Sequence, residues 1–365
     1  VTLLGLIVVL GVIASAMPAP TWVTDQGAYE RMTREWFIPG CGDYHCFRVL
    51  VPWMIRVLPG PDWLTWKAYA VICEALAATA MARWVVALGF TPKAGRMVMW
   101  ATALGAGSLY AIFDPYSSDA LMHLLGPGLS LLILRSRIGL AGAIAAAGTL
   151  AKEFAAIPLY VMAAVRAQQR RYAESRSALA AAAAATLVWT GWQAALRLGL
   201  RYETGPTFSA NLLSGGFIGF WVTHIGRGLI VKSIASVFAG FWLLWAAGLV
   251  WGPAFVRQLA LAAAPTILVL CYLQQPDRAL WNFAFVVMPA AAVVLDRVSA
   301  PLGWALVFAQ SLANLRFGAQ LPIAPPARFA FTLAAGLAMI AVWQAARGER
   351  RRPAGAEGWR PESIS

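Results

Sequence analysis

Apolar residues fill this chain in long uninterrupted runs broken by brief charged punctuation. Windows of helical length fall at 3–17, 68–88, 97–113, 119–134, 178–196, 228–251, 259–273, 279–295, 300–315 and 329–346. Such a run in hydrocarbon must satisfy its own backbone amides, so each window predicts a helix, and no ten-residue alternation suggests a barrel. The expected fold is all-α: about ten spanning helices in one membrane domain over 1–346, outer loops at 18–67 and 197–227, and a basic cytoplasmic tail at 347–365. The opening run, Leu3 to Met17, also reads as a signal peptide ending at Ala14-Ser15-Ala16, but it has no basic leader.

The region 138–165 breaks the pattern, because Lys152-Glu153 stands where a single span would be most apolar. One crossing would also put Arg135 and Arg137 on one side of the bilayer and Arg166, Arg170, Arg171 and Arg176 on the other, against the positive-inside tendency. Two short helical arms resolve both problems, with Lys152-Glu153 near the outer face and both arginine groups inside. In that register 16 of the 29 cationic residues lie inside, and the outer face carries both charge signs.

Composition agrees with a membrane protein: 60% hydrophobic, 12% charged, mean hydropathy +0.66. The net charge of +13 does not indicate nucleic acid, since the densest basic run, Arg347 to Arg352, follows a helix end as juxtamembrane residues do. Many of the 17 tryptophans, among them Trp22, Trp36, Trp53 and Trp221, fall at expected outer helix ends, as interfacial belts require.

Against this background the stretch 24–53 stands out, because it sets Asp25, Glu30, Glu35 and Asp43 among aromatics directly after the first helix. Asp25 is a candidate general base at a membrane surface, its alternative role being the cap of an amphipathic helix. Arg48, Lys152, Arg278 and Lys232 abut or interrupt apolar sequence, where an unpaired charge costs about 2.5–3.5 kcal/mol, and an arginine fork matches a phosphate. Their structural alternatives are snorkelling for Lys232 and ion pairs of Arg48 with Asp43 and of Arg278 with Asp277. Asp119 and His123, four apart, would share a helix face as a polar pair; His224 says less. Cys41 and Cys46 frame Gly42-Asp43-Tyr44-His45 in an outer loop, where an oxidising compartment favours a disulfide over zinc on Cys41, His45 and Cys46. Cys73 and Cys271 read as small apolar residues within helices.

Five short motifs together resemble the GT-C superfamily, bacterial membrane glycosyltransferases that take sugars from polyprenyl-phosphate carriers. They are Asp25 with Tyr29 after the first helix; Arg48-Val49-Leu50 with Pro52 closing the loop; Asp114 and Asp119; Lys152-Glu153; and Asp277-Arg278 with Leu280 and Pro289. The resemblance implies a catalytic carboxylate in the first outer loop, at Asp25, with carrier phosphate and substrate held by Arg48, Lys152, Glu153, Arg278, Asp119 and His123. It implies a multi-pass protein of the bacterial cytoplasmic membrane whose C-terminus is cytoplasmic. Its partners would be a polyprenyl-phosphate lipid, a sugar acceptor and membrane lipids. Many members pair two acids at this point, whereas Gln26 follows Asp25 here, so a divalent metal has no support and an inactive relative acting as an assembly partner stays open. The rival from another class is a transporter or flippase of a lipid-linked or anionic solute, against which count the gathering of charge at one face and the lack of matching halves.

Overall fold

A computed structural model describes residues 2–17, 25–60, 62–203, 216, 219, 221–222, 235, 237–273, 276–315 and 327–350. His224, Lys232, most of the 197–227 loop and the tail beyond Arg350 lie outside the described residues. The architecture is all-α. In chain order the helices are α1 (Leu3–Ala16), α2 (Gln26–Arg34), α3 (Leu50–Arg56), α4 (Asp62–Ala87), α5 (Pro92–Ala103), α6 (Ala106–Phe113), α7 (Asp119–Leu134), α8 (Ile138–Thr149), α9 (Ile157–Gln168), α10 (Tyr172–Leu200), α11 (Phe241–Trp251), α12 (Ala254–Leu273), α13 (Pro276–Trp281), α14 (Ala284–Arg297), α15 (Ala300–Asn314) and α16 (Ala327–Arg350), with short 3-10 turns at Tyr44–Phe47 and Glu153–Ala156.

Among the described residues, four helical stretches are long and apolar enough to cross a membrane: Asp62–Ala87, Tyr172–Leu200, Ala254–Tyr272 and Phe329–Gly348. Other apolar windows are shorter or divided. The run 97–113 breaks at Leu104-Gly105 into α5 and α6, and 279–295 is shared between α13 and α14. At about 1.5 Å rise per residue, helices such as α1 (14 residues) and α8 (12 residues) do not reach across the ~30 Å hydrocarbon core.

The core forms where apolar character surrounds a helix completely. Every residue of α14 from Ala284 to Leu295 is buried, as expected of a helix with no polar stripe. Against it lies α11, and the contact is built on Gly248: a Cβ there would overlap the Ala290 carbonyl, so the two backbones touch as small-residue crossings in membranes do. Gly105 and Gly107 similarly make room for the Trp281 ring. Around this centre α4 packs on α7, α5 and α1, and α10 leans on the α8–α9 hairpin. The buried residues of α10, Ala178, Ala182, Ala185, Trp189 and Leu196, form a single stripe. Leu187 (70% exposed) and Leu198 (86%) are among the large apolar side chains on its outer surface. An exterior this apolar is costly in water and natural against lipid tails.

Region 138–165 is the expected hairpin, with Lys152 and Glu153 at its turn. At its open end the Arg166 guanidinium donates to the Ile133 carbonyl at the end of α7 (3.5 Å) and pairs with Glu174 (3.1 Å). Gln169 meets Gln258 at the start of α12, and Lys93 donates to the Asp296 and Val298 carbonyls at the end of α14. Both arginine groups therefore sit at one end of the bundle and Lys152-Glu153 at the other.

Candidate functional site

The end of the bundle away from those arginines is organised by the segment after α1. Asp25 occupies the N-cap position of α2, yet its side chain makes no capping bond. Its Oδ2 lies instead 3.4 Å from His45 Nε2. On the far side of that ring His45 Nδ1 is 2.7 Å from Asp43 Oδ1, which also accepts from the His45 backbone N–H at 2.9 Å. These bonds to His45 are the main reason the Asp43 carboxyl is held below its usual range. The Cys41–Cys46 disulfide closes the loop that presents His45 and excludes zinc on those two sulfurs. Among the described residues no three side chains of metal-ligating type come together as a metal site.

Arg48 follows the 3-10 turn and points inward. Its Nε and Nη2 take both oxygens of Glu153 at 3.2 and 2.8 Å, a bidentate pair joining the first loop to the hairpin turn. Asp43, its expected partner by proximity in sequence, is engaged by His45. Tyr44 lies against the same guanidinium, 4.9 Å from ring centre to Cζ.

The second constellation centres on Asp119, the first residue of α7 and 4% exposed. One carboxylate oxygen takes the Lys152 ammonium; the other accepts from Arg278 Nε at 2.9 Å. Three segments far apart in the chain thus meet at one buried acid. The side chain of Asp277 lies outside the described ones. Asp119 and His123 do not bond each other: with Asp119 committed to two cations, His123 turns its Nδ1 to Glu74 Oε1 of α4, at 2.7 Å. That pairing corrects the expected one, because residues four apart on a helix share a face but both here find stronger partners across it.

The two constellations are one site. Asp25 lies within electrostatic reach of Arg278 and Asp114, and Lys152 within reach of Arg48 and Arg278. Asp114 sits in the loop between α6 and α7 with its Oδ1 buried and unpartnered. Burial pushes its carboxyl up to about 6; the Arg278 charge opposes the rise, and Asp25 and Asp119 add to it. Lys67, on the first turns of α4, likewise has a buried Nζ without a hydrogen bond. Tyr110 offers its ring face to Arg278 at 5.7 Å.

Glu74, Lys67 and Tyr110 were not singled out from sequence. A lone acid in the apolar window 68–88 was signal enough for Glu74, since a buried carboxylate needs a partner. Tyr110 carried no such mark.

Chemically, the arrangement sets two carboxylates on either side of one imidazole, beside a group of cations. With His45 Nδ1–H donated to Asp43, Nε2 presents a lone pair to Asp25, and the contact is attractive once a proton lies between them. Comparison of the chain with family models, with curated proteins and with solved structures gives no match, so what stands is an all-helical architecture with, among the described residues, four apolar helices of membrane-spanning length.

Proposed function

We propose that this protein is a membrane glycosyltransferase that moves a sugar from a polyprenyl-phosphate carrier to a hydroxyl acceptor at the outer face of a bacterial cytoplasmic membrane. The observation that carries this reading is the convergence of Asp25, Arg48, Lys152 and Arg278 on one end of the bundle, from positions 25 to 278 of the sequence. In the proposed arrangement the four long helices and pairs of shorter ones supply about ten crossings, and the C-terminus is inside.

In the transfer the acceptor oxygen attacks the anomeric carbon while the bond from that carbon to the carrier phosphate oxygen breaks, and the phosphate leaves with the electron pair. The acceptor proton passes to Asp25 and is shared with His45 Nε2, whose ring Asp43 holds in orientation. The Arg278, Lys152 and Arg48 charges lower the energy of the departing phosphate.

A buried Glu74–His123 pair between α4 and α7 also favours a second reading, a transporter of an anionic solute, because intramembrane ionisable pairs often mark conduction paths. Reconstituted protein given a radiolabelled polyprenyl-phosphate sugar and membrane acceptors separates the two. Transfer is expected with wild type and should vanish in Asp25→Asn, with carrier binding nearly intact; Arg278→Ala should weaken carrier binding first. Full transfer by the Asn variant, or solute movement without transfer, overturns the enzyme reading.

A further inference from the structure

The opposite end of the bundle carries a feature this reading does not use. Between the C-terminal part of α4, the start of α5 and the end of α7 lies a cavity of about 670 Å³, within the ~300–1,000 Å³ range of small-ligand sites. Arg83, Arg96 and Arg135 line it, one from each element, with no carboxylate among the lining residues. Val86, Phe90 and Pro92 supply an apolar wall, and Val86 is 41% exposed.

These three arginines differ from most of their cationic neighbours. Arg166 and Arg171 hold Glu174, Lys93 caps the Asp296 and Val298 carbonyls, Arg257 donates to the Gly252 carbonyl and Arg297 to that of Trp251. The Asp296 carboxylate, another acid at this end, takes the backbone N–H and hydroxyl of Thr91. Among the described residues the side chains of Arg83, Arg96 and Arg135 make no hydrogen bond or ion pair with protein. Loop arginines that only signal topology would sit apart in solvent. Three converging on one concavity without a counter-charge call for an anion.

The apolar wall decides which anion. A free phosphate gains nothing from Val86, Phe90 and Pro92, whereas a phospholipid sets its phosphate among the guanidiniums and its glycerol and first methylenes against those side chains. The site also lies where the helices end, which a bilayer around the bundle would set at headgroup depth. We propose that this cavity is a specific site for an anionic phospholipid at the arginine-rich end of the bundle.

The test uses the full-length protein in phosphatidylcholine nanodiscs doped with phosphatidylglycerol, with retained lipid counted by native mass spectrometry. An attraction of about 1 kcal/mol per arginine near a membrane surface is a factor of about five, so three together are worth roughly a hundredfold in lipid affinity. Wild type should retain phosphatidylglycerol far above its share of the bilayer, and the triple variant Arg83→Gln/Arg96→Gln/Arg135→Gln should lose that preference. The control Arg137→Gln/Arg170→Gln removes two exposed charges at the same end outside the cavity and should keep it. All five positions are exposed, so each variant should melt like wild type in pure phosphatidylcholine. Retention by the triple variant, or equal loss in the control, overturns the site. Displacement of the lipid by millimolar inorganic phosphate, with phosphate alone raising thermal stability in phosphatidylcholine, overturns the lipid assignment in favour of a free anion.

Discussion

Asp119→Asn is the most demanding test of how the outer end is held together. The asparagine keeps size and shape, so packing is unchanged and only the charge is lost. Lys152 is 3% exposed, and breaking a buried pair by removing one partner costs about 3–5 kcal/mol, because the remaining charge is left in low dielectric. Arg278 loses two charge-assisted bonds as well, but 25% of its side chain stays exposed, so its share falls toward the low end of the ~1.5–3 kcal/mol range for such bonds. A total of about 5 kcal/mol is comparable to the whole stability of a typical domain. Replacing the stranded cation too, in Asp119→Asn/Lys152→Met, should recover about 3 kcal/mol, since an apolar side chain suits the vacated environment. Lys152→Met alone should cost less than Asp119→Asn, because Arg278 still neutralises the acid. Reversible unfolding in mixed micelles of rising dodecyl sulfate content, followed by tryptophan fluorescence, measures all three. An Asp119→Asn variant within 1 kcal/mol of wild type, or a double variant less stable than the single one, would refute the reasoning.

Asp114→Asn addresses the raised carboxyl. Because the folded protein binds that proton more tightly than the unfolded chain, wild-type stability falls as pH rises from 3.8 through about 6. The Asn variant should gain on wild type over that window, by up to roughly 3 kcal/mol and less for the part of the carboxyl that water still screens; an offset constant from pH 4 to 8 would contradict this. Gly248→Val should destabilise strongly, by about 3 kcal/mol or more, since its side chain meets the Ala290 backbone rather than a movable side chain; an unchanged melting curve argues against the close crossing. Cys41→Ser/Cys46→Ser should cost about 2 kcal/mol for a five-residue separation, with a matching loss when wild type is reduced. If reduction leaves the melting temperature where it was, the bridge contributes nothing to stability.

The apolar runs alone determined the all-helical class, because in hydrocarbon no other local structure satisfies the backbone. The hairpin at 138–165 was equally legible, since Lys152-Glu153 and the two arginine groups leave it one arrangement free of a buried charge at mid-membrane. The candidacy of Asp25, Arg48, Lys152, Arg278 and Asp119 and the Cys41–Cys46 bridge also came from residue type and place in sequence, and that of Glu153 from the family resemblance. Partnership did not. Arg48 reaches Glu153 across 105 residues and Arg278 reaches Asp119 across 159, whereas adjacency pointed to Asp43 and Asp277. His123 left Asp119 for Glu74 because the acid was already claimed by two cations from other segments. Charge and polarity are properties of a residue and show in the sequence. Which opposite charge compensates a buried one depends on the helix packing that brings distant segments within 3 Å, and only the tertiary structure decides that.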